Sequence, residues 1–252
     1  MKKNFDKTEN NQEGLVIGRN PVLEALNAGQ NVDTLYVSGE GGIINKICAV
    51  AKAQGAVIKN VSATKLDFMS CGGNHQGVIA SLSVASYASI DDIFSLANEK
   101  NEKPFIIVCD EIEDPHNLGA IIRTAEAVGA HGITIPKRRS ASLNSTVYKT
   151  SAGAAAVMKV ARVANIASTI DELKSRGVWV YAADMGGQPL YSTDFDGAVC
   201  LVIGSEGFGI SRLVLDKCDF LVNIPMSGQI NSHNASVAAG VIMYEITRQR
   251  IK

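Results

Sequence analysis

Three stretches set glycines and uncharged polar side chains directly after a run of strand-forming residues. The first, Asp110 to Thr124, reads Asp-Glu-Ile-Glu-Asp-Pro-His-Asn-Leu-Gly-Ala-Ile-Ile-Arg-Thr. Its Asn117 sits where it can cap a helix, and Arg123 lies six residues on, nearly two helical turns away. A cap followed by a surface arginine is the plain structural alternative. The second, Leu201 to Ser211, reads Leu-Val-Ile-Gly-Ser-Glu-Gly-Phe-Gly-Ile-Ser, a strand running through glycines into a helix start. Glycine allows a ligand close to the backbone, and the free N–H groups of a helix start are donors. The spacing is GxxGxG, and no acidic residue ends a following strand about 20 residues on, so a nicotinamide dehydrogenase is excluded. The third, Ile224 to Gly240, holds a dozen uncharged polar and small residues between a strand and an apolar helix. Asn234 or Ser236 alone would cap that helix, so the excess points to a ligand loop.

Such loops need a frame that brings strand ends together. After Pro104 the sequence predicts buried strands at Phe105–Cys109, Gly132–Ile135, Val178–Ala182, Val199–Ile203 and Phe220–Ile224. Helices are predicted between and after them at Asn117–Val128, Ile166–Arg176, Ser211–Lys217 and Ser236–Arg250. That alternation is the pattern of a mainly parallel sheet with ligands at its carboxyl end. Before it, a small α/β unit is expected over 14–87, with Asn20 as N-cap and Pro21 opening a helix to Ala28. Further helix is predicted at Ile43–Gln54 and strand at Thr34–Ser38, Ala56–Val61 and Gly77–Val84. Residues 88–103, ending in a polar run before Pro104, read as a linker, 1–13 as a frayed tail, and 104–252 as the second domain.

The 252 residues are 46% hydrophobic and carry a net charge of -1, a balance that fits globular α/β domains and excludes a collagen-like or disordered chain. With no global positive charge, nucleic-acid binding must come from local patches. Five cysteines without a CxxC pair argue against disulfides and a zinc site and point to a reducing cytoplasm. The uncharged stretch Phe220–Tyr244 is too polar for a membrane helix.

Taken together and in order, the three segments resemble the SpoU (TrmH) branch of the SPOUT RNA methyltransferases. The likeness rests on Asp114-Pro-His-Asn-Leu-Gly-Ala with Arg123, on Ile203-Gly-Ser-Glu-Gly-Phe-Gly, and on Ile224-Pro-Met through Ser232-His-Asn-Ala-Ser. Val16-Ile-Gly-Arg-Asn-Pro-Val-Leu-Glu-Ala-Leu and His75-Gln-Gly-Val resemble that family's L30e-like RNA-binding extension. Within it the likeness is greatest to the enzymes that methylate a guanosine of 23S rRNA. The resemblance implies an L30e-like domain followed by a trefoil-knotted SPOUT domain, although knots break a general rule of folding. It also implies transfer of a methyl group from S-adenosylmethionine to a ribose 2′-hydroxyl of rRNA by a homodimer joined through the C-terminal domain, without a metal. A tRNA ribose methyltransferase and a non-catalytic RNA-binding protein are the alternatives.

By the same resemblance, Asn117, Arg123, Glu206, Ser232 and Asn234 form the catalytic set. Gly204, Ser205, Gly207, Gly209, Ile224, Met226, His233, Asn234 and Ala235 hold the cofactor. Arg19, Asn20, His75 and Gln76 meet RNA, joined by the basic residues Lys137, Arg138, Arg139 and Lys149, whose plain alternative is a solvated loop. A structural ion pair is the alternative for Glu206. His75, His116 and His131 suit structural roles, with His116 also able to act as a general base. His233 departs from the pattern, replacing an apolar residue whose backbone meets the cofactor.

Overall fold

A computed structural model describes residues 14–83, 85–229 and 232–251. The tail 1–13, the last residue of the predicted strand at Val84 and Asn231 of the third loop lie outside the described residues. The chain divides into two compact units, one running to Ser86 and taking in Ser142–Ser145, the other comprising Tyr87–Ala141 and Thr146–Lys252.

In the first unit β1 (Leu15–Ile17), α1 (Arg19–Asn27), β2 (Val32–Val37), α2 (Gly42–Ala53), β3 (Val57–Asn60), α3 (Ala63–Ser70) and β4 (Val78–Leu82) follow in turn. The sheet order is β1-β4-β2-β3, with only β2 and β3 parallel. Val22 and Leu26 of α1 and Ile44 and Ile47 of α2 meet Leu35 and Val37 in its core. The predicted Asn20 cap is corrected: the N-cap is Gly18, at φ 99°, and Asn20 and Pro21 both lie inside the first turn. The Gly18 N–H bonds the Val78 carbonyl and its carbonyl accepts from Val22, so pairing to β4 sets the helix start earlier than side-chain chemistry suggested.

The second unit opens with α4 (Ile90–Glu99) and continues through β5 (Phe105–Cys109), α5 (Pro115–Ala127), β6 (Gly132–Pro136), α6 (Ser145–Thr150), β7 (Val160–Val163) and α7 (Ile166–Ser175). It ends with β8 (Trp179–Pro189), β9 (Val199–Ile203), α8 (Arg212–Leu215), β10 (Phe220–Asn223) and α9 (Ala235–Arg250). All six strands run parallel in the order β10-β8-β9-β5-β6-β7. β5 and β9 are buried at every position, as parallel strands covered on both faces must be.

The stretch 88–103 carries core side chains as well as a polar run. A Ser89–Asp92 capping box starts α4, and Ile90 and Ile93 are buried with Ile106 and Val108 of β5. Gly132 leaves the space that Ile93 fills. β1, α3, α6 and β7 were not predicted. They are short, and β7 holds Arg162 among four residues, which hides its period.

Candidate active site

Because the strands are parallel and β9 rather than β8 neighbours β5, the segments following β5, β9 and β10 emerge at one end of the sheet. One main-chain bond, from Asp110 N–H to the Ile203 carbonyl, continues the β5–β9 pairing into the loops. The buried Asp110 carboxylate accepts the Ser211 N–H at 2.8 Å and fixes the far end of the glycine loop. Within that loop Ser205 and Gly209 exchange two backbone hydrogen bonds of 3.0 and 2.9 Å. A Cβ on Gly204 would overlap the backbone of Gly209 and Ile210, so only glycine permits this closure.

Between the glycine loop and the segment after β10 lies a cleft of about 920 Å³. Ile203, Val222, Ala238 and Ile242 give it an apolar floor, Gly204 to Gly209 and Ile224 to Met226 its walls, and Ser232, His233 and Ala235 its far side. Ala183, Asp184 and Met185 of β8 complete the lining, a contribution that sequence reasoning missed. Their signal was the adjacent Gly186-Gly187: a Cβ on Gly187 would overlap the main chain of Leu221 and Val222, so β8 and β10 approach closely there.

At the cleft's edge one carboxylate ties three segments together. Glu206 Oε1 accepts from Asn117 Nδ2 at 3.0 Å and also from Asn234 Nδ2. Asn234 Nδ2 lies 2.9 Å from Asn117 Oδ1 as well. The other end of Asn234 caps α9, its Oδ1 accepting from Ser236 N–H at 3.0 Å and Val237 N–H at 3.3 Å. The Asn117 cap in the sequence reading is corrected here. Asp114 is the N-cap of α5, bonding the His116 N–H at 2.9 Å with Pro115 at the first position, and Asn117 is a buried first-turn residue free to reach Glu206.

Arg123 stays apart from this group. It is exposed on α5, makes no hydrogen bond or ion pair among the described residues, and does not line the cleft. Gly204, Ser205, Gly207, Gly209, Ile224, Met226, Ser232, His233 and Ala235 all line it. Lys137, Arg138, Arg139 and Lys149 are exposed, and Arg139 Nη1 donates to Glu111 Oε1 at 2.8 Å. In the first unit Arg19 Nε donates to the Gln76 carbonyl at 2.8 Å, and the His75 ring accepts the Gly77 N–H at Nδ1 and meets Asp67 at Nε2. Thiolate chemistry is absent from the strand end beside the site, because burial and then the Asp110 charge push the Cys109 thiol up to about 12. Among the described residues no three His, Cys, Asp or Glu side chains gather to hold a metal ion, and no helix is long and apolar enough to cross a membrane.

Comparison with known proteins matches both units. The model of the SpoU rRNA Methylase family covers residues 104–244, and that of the RNA 2′-O ribose methyltransferase substrate-binding domain covers 15–88. YacO of Bacillus subtilis (strain 168), a TrmH family protein whose name leaves tRNA and rRNA both open, is 48% identical over 242 residues, 95% of this chain and 97% of that protein. The SpoU methyltransferase AviRb from Streptomyces viridochromogenes, solved with the cofactor AdoMet, superposes with a TM-score of 0.60 at 26% identity over 94% of this chain and 90% of its own. The A. aeolicus TrmH/SpoU tRNA modifying enzyme gives a TM-score of 0.55 at 30% identity but covers only 59% of this chain and 76% of its own.

Proposed function

The chain belongs to the SpoU rRNA methylase family, and from that premise we propose that it methylates a ribose 2′-hydroxyl of rRNA, a guanosine of 23S rRNA in particular, as a homodimer. The observation that carries the chemistry is the joining of Asn117, Glu206 and Asn234 at the edge of a cleft of suitable size. Two complete units favour rRNA over tRNA. The tRNA modifying enzyme covers 59% of this chain, whereas this chain also matches an RNA 2′-O ribose methyltransferase substrate-binding model over 15–88.

The cleft fits S-adenosylmethionine. An apolar floor suits adenine, and the backbone of Gly204–Gly209 and of 224–226 supplies donors and acceptors for the polar parts. When bound, that cofactor supplies a methyl group on a positively charged sulfur. The Gly204 closure and the Asp110–Ser211 bond hold the walls against which it is oriented, and orientation of two reactants is worth several kcal/mol. Asn117 and Asn234, both bonded to Glu206 at the cleft's edge, position the ribose hydroxyl, and Ser232 adds a hydroxyl to the cleft lining. As the methyl leaves sulfur for the ribose oxygen and the hydroxyl proton passes to solvent water, Arg123 stabilises the developing oxygen charge and the adjacent phosphate, since a guanidinium rarely gives up a proton.

Arg123 does not line its own chain's cleft, which supports its completing the site of a second subunit. The face of α9 that carries Val237 and Tyr244, 50% and 59% exposed, offers the matching surface. Sedimentation equilibrium at micromolar concentration is expected to give a dimer, and a fully active monomer would overturn this assembly. Mapping 2′-O-methyl positions in rRNA and tRNA from cells with and without the gene tests the substrate. Loss of one 23S guanosine methyl supports the reading, and loss of a tRNA methyl replaces it.

A further inference from the structure

A second recess of about 650 Å³ shares no lining residue with the cofactor cleft. Its wall is aromatic: Trp179 and Phe220 lie 5.7 Å apart between ring centres, and Tyr181 stacks on Phe220 at 4.9 Å and 24°. Such rings belong in a core, yet Trp179 is 52% exposed and Phe220 38%. Facing them are the exposed side chains of Asp194 and Asp196. Among the described residues of the lining Lys103 is the one cation, 3.6 Å from Asp196 with both groups largely in solvent, and the two carboxylates also accept backbone N–H groups, Asp194 from Asp196 at 3.1 Å and Asp196 from Gly197 at 2.8 Å.

The segment bearing the two carboxylates is held rigidly. Gln249 of α9 accepts the Phe195 N–H at 3.0 Å and donates to the Thr193 carbonyl at 2.9 Å. Arg250 donates to the Gly197 carbonyl at 2.8 Å, and the Tyr181 hydroxyl to the Asp194 carbonyl at 2.9 Å. The recess is therefore formed before anything enters it.

Aromatic faces carry negative potential at their centres, and carboxylates add full charge, so the two together attract a planar cation and repel phosphate. From this charge complementarity we propose that the recess docks an arginine-rich segment of a partner protein, a guanidinium lying against Trp179 and Phe220 and pairing with Asp194 and Asp196. The binding serves recruitment and leaves methyl transfer unchanged, because no lining residue belongs to the catalytic or cofactor set.

Trp179 is the sole tryptophan, so the full-length protein reports on this recess by its own fluorescence. An oligo-arginine peptide is expected to change the Trp179 emission saturably, and an oligo-glutamate peptide to leave it unchanged. The double variant Asp194→Asn/Asp196→Asn should weaken the response on the order of tenfold with cofactor affinity intact. Phe220→Leu should weaken it further. If that variant fails to fold, the asparagine pair, on an exposed segment, decides alone. The proposal is overturned by an unchanged emission, or by an equal response in the asparagine variant. Saturation by free argininamide as tight as by the peptide would overturn it in favour of a small cation. Saturation by an oligouridine would make the recess an RNA site, and an emission that shifts with protein concentration alone would make it a contact between copies.

Discussion

At the scale of single residues, the proposed site sets side chains bonded to one another apart from a charge that is bonded to none of them. Glu206 is spent on Asn117 and Asn234, and Asn234 is spent twice, once on Glu206 and once on the cap of α9. Arg123 has no such partner among the described residues, which fits its proposed contact with substrate. Arg123→Ala is therefore expected to lower methyl transfer by roughly 10²- to 10³-fold, the usual cost of losing a charge stabiliser. Calorimetric affinity for S-adenosylhomocysteine should stay within a few fold. Arg123→Lys should recover little, because a point charge does not reproduce the planar fork. Equal loss of cofactor affinity in either variant would move Arg123 into the cofactor site.

At the scale of elements, the glycine loop between β9 and α8 is set by how closely its two ends approach. Gly204 and Gly207 look alike in sequence but differ in space: a Cβ at 204 meets the main chain of Gly209 and Ile210, whereas at 207 it meets nothing within 4 Å. Gly204→Ala should cost about 1–3 kcal/mol by overpacking and open the loop. Gly207→Ala should leave the melting temperature near that of the parent. Thermal melts of the two variants side by side check this, and equal melting would refute the close approach at Gly204.

At the scale of the molecule, His131 links folding to pH. Its ring is buried, Nδ1 accepts the Phe105 N–H at 2.9 Å, and Nε2 bonds Glu102 Oε2 at 3.0 Å, so the fold requires the neutral ring. Burial pulls its pKa below the ordinary 6.5, outweighing the attraction of Glu102. The unfolded chain thus takes up this proton first as pH falls, and stability present above 6.5 is lost as the medium acidifies below it. Glu245, held below its ordinary 4.5 by Arg248, adds a separate loss at lower pH. Melting temperatures of the parent should drop from neutral pH to about 5, and His131→Gln should flatten that part of the curve. An unchanged slope would exclude His131 as its source.

The division into units makes a further prediction. A truncation beginning at Ser86 keeps Tyr87, over which the Arg162 guanidinium lies at 4.9 Å, and the whole of α4. The truncated chain should fold and bind cofactor but lose RNA affinity. Calorimetry and filter binding measure the two, and an unfolded fragment would refute the division.

The sequence by itself determined the strands that are buried on both faces, β5 and β9, because each is a continuous apolar run of strand length between polar turns. It also marked the three polar-rich segments that the structure joins at the cleft through Asn117, Glu206 and Asn234. Short edge elements such as β1 and β7 were illegible, since three or four residues carry no period and their pairing partners lie far along the chain. Only the tertiary structure decided that Asn117 serves Glu206 while Asp114 caps α5, because a cap and a cross-loop bond use the same side chain and sequence holds no distances. It likewise decided the order of β8 and β9, which brings positions 117, 206 and 234 together although 89 and 28 residues separate them along the chain. Hydrophobic period is a local property, whereas adjacency in a parallel sheet is set by how crossover helices pack over both faces.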